Sequence, residues 1–136
     1  MDIERLREYC LGKPYAMECF PFDEDTLVFK VGRGDKTRMF AYISLEKASV
    51  INLKCDPDRA VELRERYAGI EPGFHMNKRH WNSVDTSGSL DDALLKELID
   101  HSYNLTRRAL PKYIRETLLV GTPTTGSNAG CIDGRN

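Results

Sequence analysis

The densest run of chemistry-bearing side chains lies between Phe74 and Asn82, where His75, Asn77, Lys78, Arg79, His80, Trp81 and Asn82 share one short segment with Met76. Imidazoles, cations, amides and the chain's single tryptophan together suit contact with a phosphorylated polymer. Lys78 and Arg79 can neutralise phosphates, and Trp81 can stack on a base. The same segment admits a second use, a pocket in which His75, Asn77, His80 and Trp81 converge on a protein or a small ligand. It also admits a purely structural one, in which Trp81 anchors a loop on the core and a histidine satisfies buried backbone groups.

Other chemistries fit less well. His75 and His80 are five apart, not the i, i+4 pair of a helical zinc site, and no carboxylate or thiolate stands beside them, so no metal is expected. Asp23, Glu24 and Asp25, with Glu18 nearby, offer oxygen ligands for a divalent cation, but without EF-hand spacing they read as a solvated loop. Cys10, Cys19, Cys55 and Cys131 contain no C-x-x-C pair. No nucleophile-elbow motif occurs, so the chain is expected not to be an enzyme and to need no cofactor. Val31 to Thr37 (VGRGDKT) looks superficially like a phosphate loop. It lacks the phosphate-loop spacing and sits between two strand patterns rather than between a strand and a helix. Its Arg33, Lys36 and Arg38 read instead as a basic hairpin tip able to reach a phosphate backbone, or simply as a solvated turn.

The net charge of −1 over 136 residues is not that of a strongly nucleic-acid-binding domain. Its distribution is uneven. Asp2, Glu4, Glu8, Glu18 and Asp23 to Asp25 outweigh Arg5, Arg7 and Lys13 in the first stretch. Lys30, Arg33, Lys36, Arg38, Lys47 and Lys54 outweigh Asp35 and Glu46 in the next. Any polyanion contact should therefore use the middle of the chain. No basic start followed by an apolar stretch suggests a signal peptide, and no apolar run approaches a membrane span. A cytoplasmic protein with free thiols and no membrane partner is expected.

The elements that must position these groups follow from periodicity. Ile3, Leu6 and Cys10 make one face of a helix over Ile3 to Leu11, stopped by Gly12 and Pro14; residues 13–25 read as an irregular connection. Leu27, Phe29 and Val31, then Met39, Ala41 and Ile43, alternate as two strands of a hairpin around Gly32 to Lys36. A third strand is predicted over Ala48 to Lys54. Asp56 and Pro57 open a second helix with a stripe of Ala60, Leu63 and Tyr67 beside Val61. A short strand follows near His80 to Val84. A long helix starts around Ser89 to Asp92 with a stripe of Leu94, Leu98, Leu105 and Ala109, and a short helix spans about Lys112 to Leu119. The tail 121–136, rich in Gly, Thr, Ser and Asn, is expected to be disordered. The length fits one domain, residues 1–120, of α+β class: a two-layer arrangement with an antiparallel sheet packed against helices.

Two stretches carry a resemblance. Tyr9-Cys10-Leu11-Gly12-Lys13-Pro14 leading to Cys19-Phe20-Pro21-Phe22, and His75 to Val84 followed by Gly88-Ser89-Leu90 and a long helix with Ser102-Tyr103, are similar to the signatures of the MmcQ/YjbR-like family. The H-x-N-K-x-H-W combination is the more specific of the two, and the resemblance spans about Met1 to Leu119. It implies a CyaY-like (frataxin-like) fold with a protruding β-hairpin. It also implies a DNA-binding role through a double-wing arrangement of hairpins, with no catalytic residues to carry over. On this reading Arg33, Lys36, Arg38, Lys78, Arg79 and Trp81 contact duplex DNA. The alternative is a protein- or small-ligand-binding module using His75, Asn77, His80 and Trp81. A monomer is expected in either case.

Overall fold

A computed structural model describes residues 1–73 and 76–120, the last three by their backbone alone. His75, Cys131 and the tail 121–136, on which three of the expectations above fall, lie outside the described residues.

The first helix, α1 (Ile3–Leu11), begins at Asp2, whose carboxylate accepts a hydrogen bond from Arg5 N at 2.9 Å, and buries Leu6, Cys10 and Leu11. A short strand follows, β1 (Ala16–Cys19), in a segment whose sequence reads as irregular. Four residues framed by prolines are too few to show a period of two, and Ala16, Met17 and Cys19 are buried on both faces. Tyr15 turns the chain into this strand at φ 58.

The hairpin strands are β2 (Thr26–Arg33) and β3 (Lys36–Ser44), joined by Gly34–Asp35 alone, a tighter turn than the sequence suggests. Gly34 holds φ 58, as the first position of a two-residue hairpin turn requires. At Gly32 (φ 140) a Cβ would lie 2.0 Å from the Lys36 carbonyl oxygen, so no other residue fits. The last pairs, Gly32 with Thr37 and Arg33 with Lys36, extend past the ends of both neighbouring strands, so the tip protrudes. A register shift at Phe29/Lys30 leaves Phe40 as an extra residue on β3. This bulge lets the consecutive Phe40 and Ala41 both enter the main core, and it breaks the simple alternation read from the sequence.

A single 3-10 turn (Leu45–Lys47) leads to β4 (Val50–Lys54), then to α2 (Pro57–Arg66), capped by Asp56. Ala60 and Leu63 face the core, whereas Val61, placed beside that stripe from sequence, is 50% exposed. Two more strands, β5 (Ile70–Pro72) and β6 (Trp81–Asp85), precede α3 (Asp92–Arg108) and α4 (Lys112–Val120). The six strands form one antiparallel sheet in the order β1-β2-β3-β4-β6-β5.

Residues of all four helices and of the segment before α4 pack on one face of the sheet, around Leu6, Phe29, Phe40, Ile43, Ile51, Leu95 and Ile99. Each such side chain contributes about 1.5–3 kcal/mol by leaving water. The buried face of α3 is Leu95, Leu98, Ile99, Ser102, Tyr103 and Thr106, rotated from the leucine stripe that the sequence suggests. The difference has a physical cause. Ser102, outside that stripe, donates its Oγ–H to the Phe40 carbonyl and accepts from Lys54 N, tying the helix to two strands. The opposite face carries a smaller cluster of Cys19, Val28, Met39, Tyr42 and Trp81, with Met76 packed against it. Cys10 and Cys55 are free and buried.

Candidate nucleic-acid interface

Strand register carries the basic residues of separate segments to one end of the sheet. β2 finishes there at Arg33 and β3 begins there at Lys36. β4, antiparallel to β3, finishes there at Lys54, and β6 starts there, with Trp81 directly opposite Lys54. Lys78 and Arg79 lie in the turn leading into Trp81. α3 starts at the far end, where the Met1 ammonium lies 3.6 Å from Asp92 and donates to the Thr86 carbonyl. It runs toward the hairpin, ending with Arg107 and Arg108. The acids collect at the far end: Asp23 to Asp25 before β2, Glu46 after β3, Asp85 at the end of β6, and Asp92. The hairpin end is thus the more basic and the far end the more acidic, although Asp35 stands at the first and Arg5 and Lys47 at the second.

At the basic end a cleft of about 550 Å³ opens between the hairpin and the start of β6. Its rim carries Lys36, Arg38 and Lys54, together with Asp35. Its walls are Met39, Met76, Trp81, Leu110 and Pro111. Among the described residues no carboxylate forms an ion pair with Lys36, Arg38 or Lys54. Burial and the neighbouring Arg38 guanidinium hold the Lys54 pKa below its ordinary value. Its ammonium sits 5.6 Å from the centre of the Trp81 ring. Lys54 is the rim residue that sequence reading missed. It is one lysine at the end of an ordinary strand, and only the pairing with Trp81 brings it to the cleft.

The other candidates fall as follows. Lys36 and Arg38 stand on the rim, but Arg33, across the strand pair from Lys36, turns its guanidinium over the Tyr15 ring at 5.6 Å, away from the cleft. Trp81 is only 3% exposed and packs against Tyr42 with ring centres 5.6 Å apart, so it forms a wall rather than a free platform for stacking. Lys78 is exposed, and its ammonium donates to the Gly73 carbonyl at 3.2 Å. Arg79 is exposed, its N–H capped by Asn77 Oδ1 at 2.9 Å. Asn77 and His80 are not among the residues that line this cleft, and His75 lies outside the described residues. His80 is exposed, and its carbonyl accepts from Cys55 N at 2.8 Å.

Much of the signature between Asn77 and Asn82 is structural, and its organiser is Arg64 on α2. Arg64 Nε donates to Asn82 Oδ1 at 2.7 Å, and Arg64 Nη2 donates to the carbonyls of Lys78 and, at 3.3 Å, Trp81. Asn82 is 2% exposed, so this guanidinium satisfies a buried acceptor. Gly73 completes the clamp: its N–H donates to the Trp81 carbonyl at 2.7 Å, and a Cβ there would lie 2.6 Å from that of Trp81. The first signature is similarly structural. Lys13 pairs with Asp100, Tyr9 Oη donates to Asp100 at 2.7 Å, and Tyr103 Oη donates to the Pro14 carbonyl at 2.6 Å, locking α1 and its exit onto α3.

A second hollow, of about 620 Å³, lies nearer the acidic end, with Asp23, Asp25, Glu46 and Glu71 beside Lys47 on its lining. Met76 borders both hollows. Among the described residues no three His, Cys, Asp or Glu side chains are grouped to hold a metal ion. Nor is any described helix long and apolar enough to cross a membrane.

Comparison with known proteins agrees with the fold. The YjbR family model matches residues 11–105. The uncharacterised protein YbdF of Escherichia coli O157:H7 is 37% identical over 110 residues, covering 80% of this chain and 87% of the relative. The uncharacterised protein YjbR of Escherichia coli K12 is 32% identical over 120 residues, covering 88% and 98%. The crystal structure of a Deinococcus radiodurans protein with a DUF419 domain superposes with a TM-score of 0.82 at 36% identity, covering 96% of this chain and 95% of that one. With the family model matching most of its length and relatives more than 30% identical over most of both chains, the chain belongs to the YjbR family.

Proposed function

We propose that this chain is a nucleic-acid-binding module without catalytic activity of its own. It grips the phosphate backbone with its basic end, through Lys36, Arg38, Lys54, Lys78 and Arg79. The observation that carries the reading is the convergence, at one end of the sheet, of cations from the hairpin, from β4 and from the turn before β6. Three of them share the rim of one cleft without an ion-pair partner among the described residues. Cations so placed lower their mutual repulsion by binding a polyanion and releasing its counterions. The proposal narrows the site expected from sequence. Arg33 is spent on Tyr15, and Trp81 acts as a wall.

The test is fluorescence anisotropy of a labelled duplex of about 20 base pairs, titrated from low to physiological salt. Engagement of about three to five phosphates gives a steep log–log salt dependence. The double reversal Lys36→Glu/Arg38→Glu should remove most of the affinity while leaving the thermal melt within about 2 °C, since both residues are exposed surface. Affinity unchanged by that pair would dismiss the placement.

The mixed character of the cleft favours a second reading, a small anionic ligand held by the same three cations against apolar walls. Binding of a nucleoside monophosphate with no binding of any nucleic-acid polymer would select it.

A further inference from the structure

We infer that the cleft takes an unpaired nucleobase, so that the preferred partner is single-stranded rather than duplex nucleic acid. The inference rests on the nucleic-acid reading above and deepens it. A duplex offers a protruding hairpin its phosphates, sugars and groove base edges, but it keeps its base faces stacked and so puts none into an apolar recess behind the cations. Here apolar side chains share the lining with the cations. Met39, Met76, Trp81, Leu110 and Pro111 wall a space of about 550 Å³, while Lys36, Arg38 and Lys54 stand on its rim. That volume lies well within the range of sites holding small planar ligands. An aromatic ring with an attached phosphate matches both parts of the lining, the ring against thioether and indole and the phosphate against the cations. A base can enter only when it is not stacked and paired, which is how single strands present it and duplexes do not.

Two details sharpen the geometry. Of the three cleft cations only Lys54 is partly buried, with its ammonium 5.6 Å from the centre of the Trp81 ring. Its charge is disfavoured by burial and by Arg38, and a phosphate at the rim supplies the missing counter-charge. Beyond Met76 the same face turns acidic, with Asp23, Asp25, Glu46 and Glu71 on the second hollow. A polyanion is repelled there, so the bound strand must leave across the hairpin, and the engaged segment is short.

The experiment compares a labelled single strand of about 12 nucleotides with its own duplex by anisotropy at low salt, while following the emission of Trp81, the chain's only tryptophan. The expected result is affinity about tenfold higher for the single strand, within the range that one inserted base supplies, together with quenching of Trp81 by the single strand and not by the duplex. Met76→Glu, which puts an anion on the cleft wall in a half-buried loop position, should cut single-strand affinity about tenfold and duplex affinity much less. Equal affinity for both forms, equal quenching, or a Met76→Glu loss of equal size for both overturns the inference and leaves the nucleic-acid reading standing. Absence of binding by either form at low salt overturns both.

Discussion

Replacing Arg64 by leucine should cost this protein about 2–3 kcal/mol, although Arg64 touches no part of the cleft rim. Leucine keeps part of the apolar stem and removes the guanidinium. The lost bond from Nε to Asn82 Oδ1, at 2.7 Å, is charge-assisted and ends on an amide that is 2% exposed. Leaving that acceptor unpaired accounts for about 1.5–2 kcal/mol. The bonds from Nη2 to the carbonyls of Lys78 and Trp81 lie nearer solvent and add about 1 kcal/mol together. The loss should appear as a fall in the urea midpoint at unchanged m, and as a drop of about 10 °C in the melting temperature. Because the clamp holds the turn that carries Lys78 and Arg79, polyanion affinity should also fall, and Arg64→Lys should restore little of either, since an ammonium cannot span three acceptors. A loss below about 0.5 kcal/mol would show that solvent replaces the guanidinium at these acceptors, and the account of the signature as a clamped turn would be wrong.

Gly73→Ala forces a Cβ to 2.6 Å from that of Trp81, so we expect a loss of about 1–3 kcal/mol and a red shift of tryptophan emission as the ring moves toward water; an unshifted spectrum would mean that β5 yields instead. Lys54→Met removes a partly desolvated ammonium beside Arg38, so stability should hold or rise slightly while the slope of log affinity against log salt falls by about one; an unchanged slope would remove Lys54 from the interface. Stability should fall as pH rises above about 9. Burial pushes the Cys55 thiol up to about 11 and the Tyr42 and Tyr103 hydroxyls up to about 12, so the folded chain keeps protons that the unfolded chain releases from their ordinary values of 9.0 and 10.0. Urea midpoints between pH 8 and pH 11 measure this, and a flat profile would contradict the burial of these groups.

Local chemistry was legible in the sequence wherever one segment decided the outcome by itself. Asp56 caps its helix at the expected position, the alternation from Leu27 to Ile43 forms a hairpin, and its glycines permit a tip that protrudes. The antiparallel α+β architecture followed from the order of such segments. What tertiary structure alone decided are the outcomes that depend on a partner distant in the chain. The buried face of α3 is set by Ser102, whose hydroxyl is paid for by Phe40 and Lys54, so a polar residue sits where an apolar stripe would be sought. β1 and β5 are too short to declare a period and exist because neighbouring strands offer them a ladder. The conspicuous run from Asn77 to Asn82 is also a turn held by Arg64, with Trp81 drawn inward, because backbone carbonyls and a buried amide take their donor from α2. Conversely Lys54, unremarkable in sequence, joins Lys36 and Arg38 because antiparallel pairing returns β4 to the hairpin end. Residue types determined which interactions were available. The sheet register determined which of them meet, since a rim of cations is made of side chains far apart in the chain and brought together only by the order of strands.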